Sequence, residues 1–413
     1  MERAFRVYAD WHDLSGPQEM GFLRETGERG RSVVSFEYDG KWLGRTEARS
    51  LDPELQLFSG RQYAAPKKAL FGVFLDSAPD RWGRMLIKRR EASAARAEGR
   101  SSRRLSEIDF VMGVTDAARI GALRFQDAAG GEFLAPGGES AVPPWVRLRT
   151  LEEAARHVDE DRDDADEWLK ILFAPGSSLG GARPKASVQA PDGALWIAKF
   201  PAKNDSADTG AWENLVYDLA RRCGLQTVES RLERLSPGGS TFLTKRFDRT
   251  DDGNRIHYAS ALTLLGKTDG ASAADGSSYL ELAQFLRRSG SRPKEDLTEL
   301  WSRIVFSIAV SNTDDHLRNH GFLLERRGWR LSPLFDVNPN PEGAGLTLNI
   351  SKDDNALDFN LALEQAEFFG LTADEAQDIL EYLTVVVGQW RNAAAAAGLA
   401  PSEIRSMETA FRI

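Results

Sequence analysis

Val34, Phe36 and Tyr38 alternate with Ser35 and Glu37, the two-residue period of a strand with one buried face. Asp39-Gly40 then supplies the positive φ angles of a tight hairpin before Lys41, Trp42 and Leu43, so the start of the chain reads β-rich. From Leu70 the period changes: in LFGVFLDSAPDRWGRMLIKRRE, Trp82, Met85 and Leu86 stand at helical spacing and Pro79 suits a first turn. Ser106 caps a short helix, Ile120 to Phe125 reads as a strand, and the Gly- and Pro-rich stretch Ala128 to Pro144 marks a boundary. Thr150-x-x-Glu153 makes a capping box for a helix whose later part carries the acidic run Asp159 to Glu167, a solvated face. Leu195 to Phe200 is a strand, Trp212 to Cys223 a helix with Leu215, Val216 and Leu219 on one face, and Phe242 to Asp248 a last strand running into a hinge. Farther on, Leu297, Leu300, Trp301, Ile304 and Ile308 form an apolar stripe leading to Ser311, and Phe322 to Leu324 with Trp329 to Leu331 bracket a hairpin. Thr372-x-x-Glu375 caps a helix reaching about Trp390, and Ser402 starts a last one. The predicted class is α+β, with a β-rich region 1–127, a mixed region 145–250 and a mostly helical region 251–413.

Composition narrows the function classes. A chain of 413 residues with 41% hydrophobic content can bury a large core and is expected to form two or three domains. A net charge of −9 disfavours binding duplex DNA through the overall field of the chain, so a DNA role would be indirect, through a partner. Cys223 is the one cysteine, which excludes an internal disulfide or a cysteine-built zinc site and fits a reducing compartment. MERAFRVYADWHD lacks the apolar core of a signal peptide and no apolar run is long enough to span a bilayer, so no membrane contact and a cytoplasmic location are expected.

Candidate chemistry concentrates in Ser311 to Gly321, SNTDDHLRNHG. Asp314 and Asn319 stand five apart, the Asp-to-Asn spacing of a protein-kinase catalytic loop, in which the Asp takes the acceptor hydroxyl's proton and the Asn binds magnesium. Asp336, in LFDVNPNP after the predicted hairpin, stands where a kinase has its second magnesium carboxylate. Upstream, GSSLGGARPK (176–185) is a loop between a helix and a strand, and Gly180 and Gly181 let backbone N–H groups turn toward a phosphate. It is not a Walker A loop, because Lys185 stands four residues beyond the glycine pair; the other reading is a surface turn. Lys199 is a cation among apolar strand neighbours and needs an anionic partner, which a nucleotide phosphate would supply. Glu213 is either its pairing carboxylate or a helix-terminus charge. The hinge, with Lys245 and Phe247, has a backbone able to hydrogen-bond an adenine edge. His316 and His320, four apart as two helical metal ligands would be, keep a metal-dependent hydrolase as a rival, although no Glu follows the first His. On the kinase reading His316 orients the loop. A second rival is an inactive kinase-like module that only binds a partner or acts as a co-repressor.

Taken together, SSLGGARPKA, WIAKFP, KRFDR, NTDDHLRNHGF and LSPLFDVNPNP resemble the HipA family of bacterial serine/threonine kinase toxins, and FEYDGKWL and FGVFLDSAPDRWGRMLI resemble that family's N-terminal subdomain. The resemblance implies a protein-kinase-like two-lobed α+β fold with an additional β-rich N-terminal subdomain and a mostly helical C-terminal lobe. It implies ATP and Mg2+ as cofactors, an aminoacyl-tRNA synthetase or another translation component as substrate, and a HipB-like helix-turn-helix antitoxin as partner. Residue by residue, it implies Asp314 as base, Asn319 and Asp336 on magnesium and Lys199 on the phosphates, with Gly180, Gly181, Lys185, Lys245, Phe247 and His316 about the nucleotide. Ser178 is then the loop serine whose autophosphorylation inactivates the enzyme. Two positions depart from the family: Lys245 stands where the hinge commonly begins with Glu, and Asp315 where the base is commonly followed by Gly. Asp315 therefore competes with Asp314 for the base role, and spacing to Asn319 favours Asp314.

Overall fold

The computed structural model describes residues 2–28, 31–66, 68–135, 142–162, 165–172 and 181–413. The expected α+β class is what it shows, in two compact units: Met1–Lys203 with Lys245–Ala259, and Asn204–Thr244 with Ser260–Ile413.

The first unit contains an antiparallel sheet of β1 (Glu2–Ala9), β2 (Gln18–Glu28), β3 (Arg31–Tyr38), β4 (Arg61–Tyr63) and β5 (Leu123–Asp127), in the order β4-β3-β2-β1-β5. The alternation in β3 buries Val34, Phe36 and Tyr38, and the Phe36 ring meets Phe74, which in turn meets Phe125 of β5. The expected hairpin at Asp39-Gly40 is absent. Gly40–Leu43 is a single helical turn, capped by the Asp39 carboxylate accepting from the Lys41 N–H at 2.8 Å, and it buries Trp42 completely. An Asp before Gly serves as a helix cap as readily as a hairpin turn, and here burial of the Trp decides.

Asp80 caps the helix Arg81–Ala97 by accepting from the Gly83 N–H at 2.7 Å, and Trp82 and Leu86 point inward. Ser106 and Asp109 form a capping box on Glu107–Met112. Thr150 and Glu153 do not cap: a 3-10 turn, Trp145–Arg147, runs directly into the helix Leu148–Asp159, which places both residues inside it. The strand expected at Ile120 to Phe125 begins later, at Leu123. Lys185–Gln189 and Leu195–Lys199 form an antiparallel hairpin whose register sets Lys185 opposite Lys199.

In the second unit the helix Thr209–Arg222 lies against the hairpin of Ser230–Ser236 and Gly239–Lys245. The approach is so close that a Cβ on Gly210 would stand 2.2 Å from the Ser240 carbonyl oxygen. Asp208 caps the helix through the Ala211 N–H and also accepts from the Ser240 N–H and hydroxyl, fixing helix to strand. The apolar stripe read from the sequence is the buried helix Pro293–Ala309, which delivers the chain to Ser311. Gly321–Glu325 and Gly328–Leu331 form the expected hairpin. The Thr372/Glu375 capping box starts Ala373–Val387, which stops before a separate helix Trp390–Ala396. Trp390 stacks on Phe411, and no helix among the described residues is long and apolar enough to cross a membrane.

Candidate active site

Residues 311–320 follow the buried helix as turns, without helix of their own. The Asn319 side chain closes this loop by donating Nδ2–H to the Asp314 backbone carbonyl at 2.9 Å, and the His316 N–H donates to the same oxygen at 3.0 Å. The two adjacent carboxylates meet opposite environments. Asp314 is exposed, whereas Asp315 is 4% exposed. Asp315 accepts from the Tyr279 hydroxyl at 2.7 Å and the Ser307 hydroxyl at 3.4 Å, and His320 Nε2 stands 3.0 Å from its other oxygen. Burial works against ionisation of Asp315, but the His320 imidazole and the Tyr279 hydroxyl outweigh it and hold the carboxyl below its usual range. Burial, with Asp315 alongside, pushes the Tyr279 phenol well above its ordinary value.

His316 and His320 do not form a helical i,i+4 pair, because the segment between them is not helical; His320 is buried against Asp315, and His316 is half-buried. Among the described residues no group of three or more His, Cys, Asp or Glu is placed to hold a metal ion.

The start of the loop is tied to the segment carrying Asp336. Asn340 N–H donates to Ser311 O and its amide to Thr313 Oγ1, while Asn312 Oδ1 accepts from the Asn338 N–H. Arg412 adds a hydrogen bond from Nε to Ser311 Oγ at 3.2 Å. Just before Asp336, the Leu334 carbonyl accepts from the Tyr217 hydroxyl of the helix Thr209–Arg222. Ser311 (φ 48°) and Asp336 (φ 57°) are two non-glycine residues in the left-handed region, a conformation that persists only where surrounding contacts fix it.

In the first unit, Lys199 ends its strand half-buried. The Lys185 side chain is 2% exposed and its Nζ stands 2.8 Å from Asp80 Oδ2, itself 3% exposed. Gly181 has φ +105°, and a Cβ there would lie 2.9 Å from Lys185 Nζ. Ser178 and Gly180 lie outside the described residues. Lys245 Nζ is 3.3 Å from Asp251, and the Phe247 ring is 6.0 Å from Tyr258.

Sequence reasoning missed what KRFDR does between these residues. Arg246 grips both oxygens of Asp248 and donates to the carbonyls of Ala118 and Arg119, while Arg249 pairs with Asp248 and donates to Ala117 O and Arg119 O. Asp248 also accepts from the Gly121 N–H at 2.8 Å. Burial opposes its charge, but the two guanidiniums hold the carboxyl far below the ordinary range. The available signal was two arginines flanking one aspartate next to an apolar strand, which needs mutual pairing when buried. The Glu213 side chain is buried on the helix Thr209–Arg222 of the second unit.

Two Sinorhizobium fredii proteins, "Putative kinase Y4mE" and "Putative kinase Y4dM", are 30% identical over 183 residues and 29% identical over 226 residues, covering 39% and 47% of this chain. The matched stretches span 41% and 54% of those relatives' own lengths. The solved Shewanella oneidensis MR-1 complex described as toxin–antitoxin system HipA, HipB and operator DNA contains a chain similar in fold, at TM-score 0.65 and 16% identity, covering 98% of this chain and 94% of that one. The fold is thus the kinase-like α+β fold of HipA. The family model for a HipA-like C-terminal domain matches residues 177–390, just over half of the sequence and all of the loop, hairpin and Asp336 segment built above. The chain belongs to the HipA-like C-terminal domain family.

Proposed function

We propose that this chain is an ATP- and magnesium-dependent serine/threonine protein kinase, the toxin of a HipA/HipB-like pair. The observation that carries the reading is the loop in which Asn319 holds the Asp314 carbonyl while Asp315 is turned inward onto Tyr279 and His320. Asp314 is then the exposed carboxylate that takes the acceptor hydroxyl's proton. Asn319, whose Nδ2 faces Asp314, and Asp336 offer oxygen donors of the kind magnesium takes; magnesium when bound would neutralise charge on the transferring phosphate. Lys199 meets the phosphates, and the backbone of Lys245 to Phe247 reads the adenine edge, steadied by the 2.8 Å hydrogen bond from Arg246 N–H to Leu195 O.

Similarity to a HipA solved with HipB and operator DNA supports a HipB-like helix-turn-helix partner that makes the DNA contacts for an acidic chain. The acceptor is a serine or threonine of a translation component such as an aminoacyl-tRNA synthetase, and Ser178 is the inactivating autophosphorylation site. The test is phosphate transfer from labelled ATP with magnesium and with chelator, beside Asp314→Asn, followed by phosphopeptide mapping. Transfer that persists in Asp314→Asn, or none by the parent chain in the presence of magnesium, would overturn the reading.

A further inference from the structure

Arg412 is 101 residues from Ser311 in sequence, yet its Nε donates to Ser311 Oγ at 3.2 Å, its Nη2 to Gly343 O at 3.4 Å and its backbone N–H to Ala309 O at 2.8 Å. One residue thus grips the end of the buried helix Pro293–Ala309, the first residue of the candidate catalytic loop and the chain beyond Asp336. Thr409 adds a hydrogen bond from its hydroxyl to Pro341 O at 2.8 Å. Gly343 in turn lies against the loop, because a Cβ there would stand 2.5 Å from Thr313 Cγ2. The segment that ends in Arg412 is itself anchored. Phe411 stacks on Trp390 with ring centroids 4.1 Å apart and lies 6.2 Å from Trp212. Glu403 accepts from the Trp212 indole N–H and the Asp208 N–H, both at 2.8 Å, which ties the segment to the start of the helix Thr209–Arg222.

Ser311, with φ 48°, is the part of the loop that most needs such support, since a left-handed residue other than glycine persists only where its surroundings over-determine it. Its N–H donates to Ile308 O and its carbonyl accepts from the Asn340 N–H, both at 3.2 Å. The hydroxyl is held by Arg412. We propose that Arg412 is a positioning residue for phosphate transfer, whose guanidinium keeps Ser311 left-handed and sets the spacing between the loop and the segment carrying Asp336. This rests on the kinase reading. Arg412 touches no reacting atom; it acts through Ser311 on Asp314, three residues on, and through Gly343 on the Asp336 segment. A planar guanidinium satisfies two acceptors at once in a fixed geometry, which an ammonium on a flexible stem does not. Misplacing a catalytic group by about 1 Å can cost on the order of 10²-fold in rate, so the loss should fall on transfer and not on nucleotide binding.

The experiment compares parent and variants of the full chain in single-turnover phosphate transfer from labelled magnesium-ATP to the chain itself, in ATP binding by titration calorimetry and in urea unfolding. Arg412→Met keeps the stem and removes the donors. It is expected to slow transfer at saturating ATP by roughly tenfold or more, with Kd for ATP within about threefold of the parent and a urea midpoint close to the parent's. A merely structural role would move the midpoint and leave the rate of the folded protein as it was. Arg412→Lys keeps the charge, loses the fork and should be slowed as well. Ser311→Ala deletes the acceptor instead and keeps the idea testable if Arg412→Met fails to fold; it should be slow in its own right, and the double variant should be no slower than the slower single one. Transfer at the parent's rate in folded Arg412→Met or Arg412→Lys, a loss of ATP affinity as large as the loss of rate, or effects of Arg412→Met and Ser311→Ala that multiply in the double variant would each overturn the proposal while leaving the kinase reading standing. A parent chain that transfers no phosphate from magnesium-ATP would instead remove the kinase reading and the proposal with it.

Discussion

The Asn319 amide donates to the Asp314 backbone carbonyl at 2.9 Å across the turn that separates them. The bond fixes where the Asp314 carboxylate leaves the loop and orients the oxygen of the same Asn amide. Asp314→Asn is expected to reduce kcat by about 10²–10⁴, the usual worth of a general base, with ATP affinity nearly unchanged. Single-turnover transfer alongside ATP titration separates the two effects. Asn319→Ala should weaken both transfer and the apparent affinity for magnesium, seen as a higher magnesium concentration for half-maximal rate.

Asp315 should behave as a structural group. Removing one partner of a buried charged cluster costs about 3–5 kcal/mol, so Asp315→Ala is expected to lower unfolding free energy by that order. Tyr279→Phe, which deletes one hydrogen bond to a charged acceptor, should cost about 1.5–3 kcal/mol. Urea unfolding checks both, and Asp314→Asn should stay within about 0.5 kcal/mol of the parent, as exposed substitutions do. Equal stability losses at Asp314 and Asp315 would contradict the inward and outward assignment.

Gly210 should tolerate no side chain. A Cβ 2.2 Å from the Ser240 carbonyl forces the helix Thr209–Arg222 off its strand, and Gly210→Ala is expected to destabilise by several kcal/mol, on the order of severe overpacking. The melting temperature reports it.

Acid sensitivity should begin with a histidine. Complete burial depresses the His257 imidazole from its ordinary 6.5 to about 3, so it stays neutral in the native state while the unfolded chain takes up a proton below pH 6.5. The unfolded state then binds more protons, and stability present above pH 6.5 is lost as pH falls toward 3, by up to about 1.4 kcal/mol per unit. Asp248 has the same sign in a lower window, since its depressed carboxyl loses its contribution only below the ordinary carboxylate range. Urea midpoints between pH 7 and 5 should fall in the parent and flatten in His257→Phe.

What could be read from the chain was what lies close in sequence. The stripe Leu297 to Ile308 and the Thr372/Glu375 cap are local patterns, and each forms the element it predicts. Pairings over long separations carried no signal. Nothing near Asp315 announces Tyr279, 36 residues earlier, and nothing near Lys185 announces Asp80. Local signals also failed where two structures use the same residues: Asp39-Gly40 suits a hairpin and a capped turn alike, and Thr150-x-x-Glu153 matches a capping box inside a helix already begun.

Ser311 and Asp336, both left-handed without being glycine, mean that resistance to heat and exactness of the loop pull in different directions. Glycine at either position would relax the backbone, yet at 311 it would delete the hydroxyl that Arg412 grips and at 336 the carboxylate itself. A selection run for thermal tolerance alone would therefore collect substitutions at these two positions and yield a sturdier protein with a slack loop. A library screened for both properties should hold them fixed and seek its gains elsewhere.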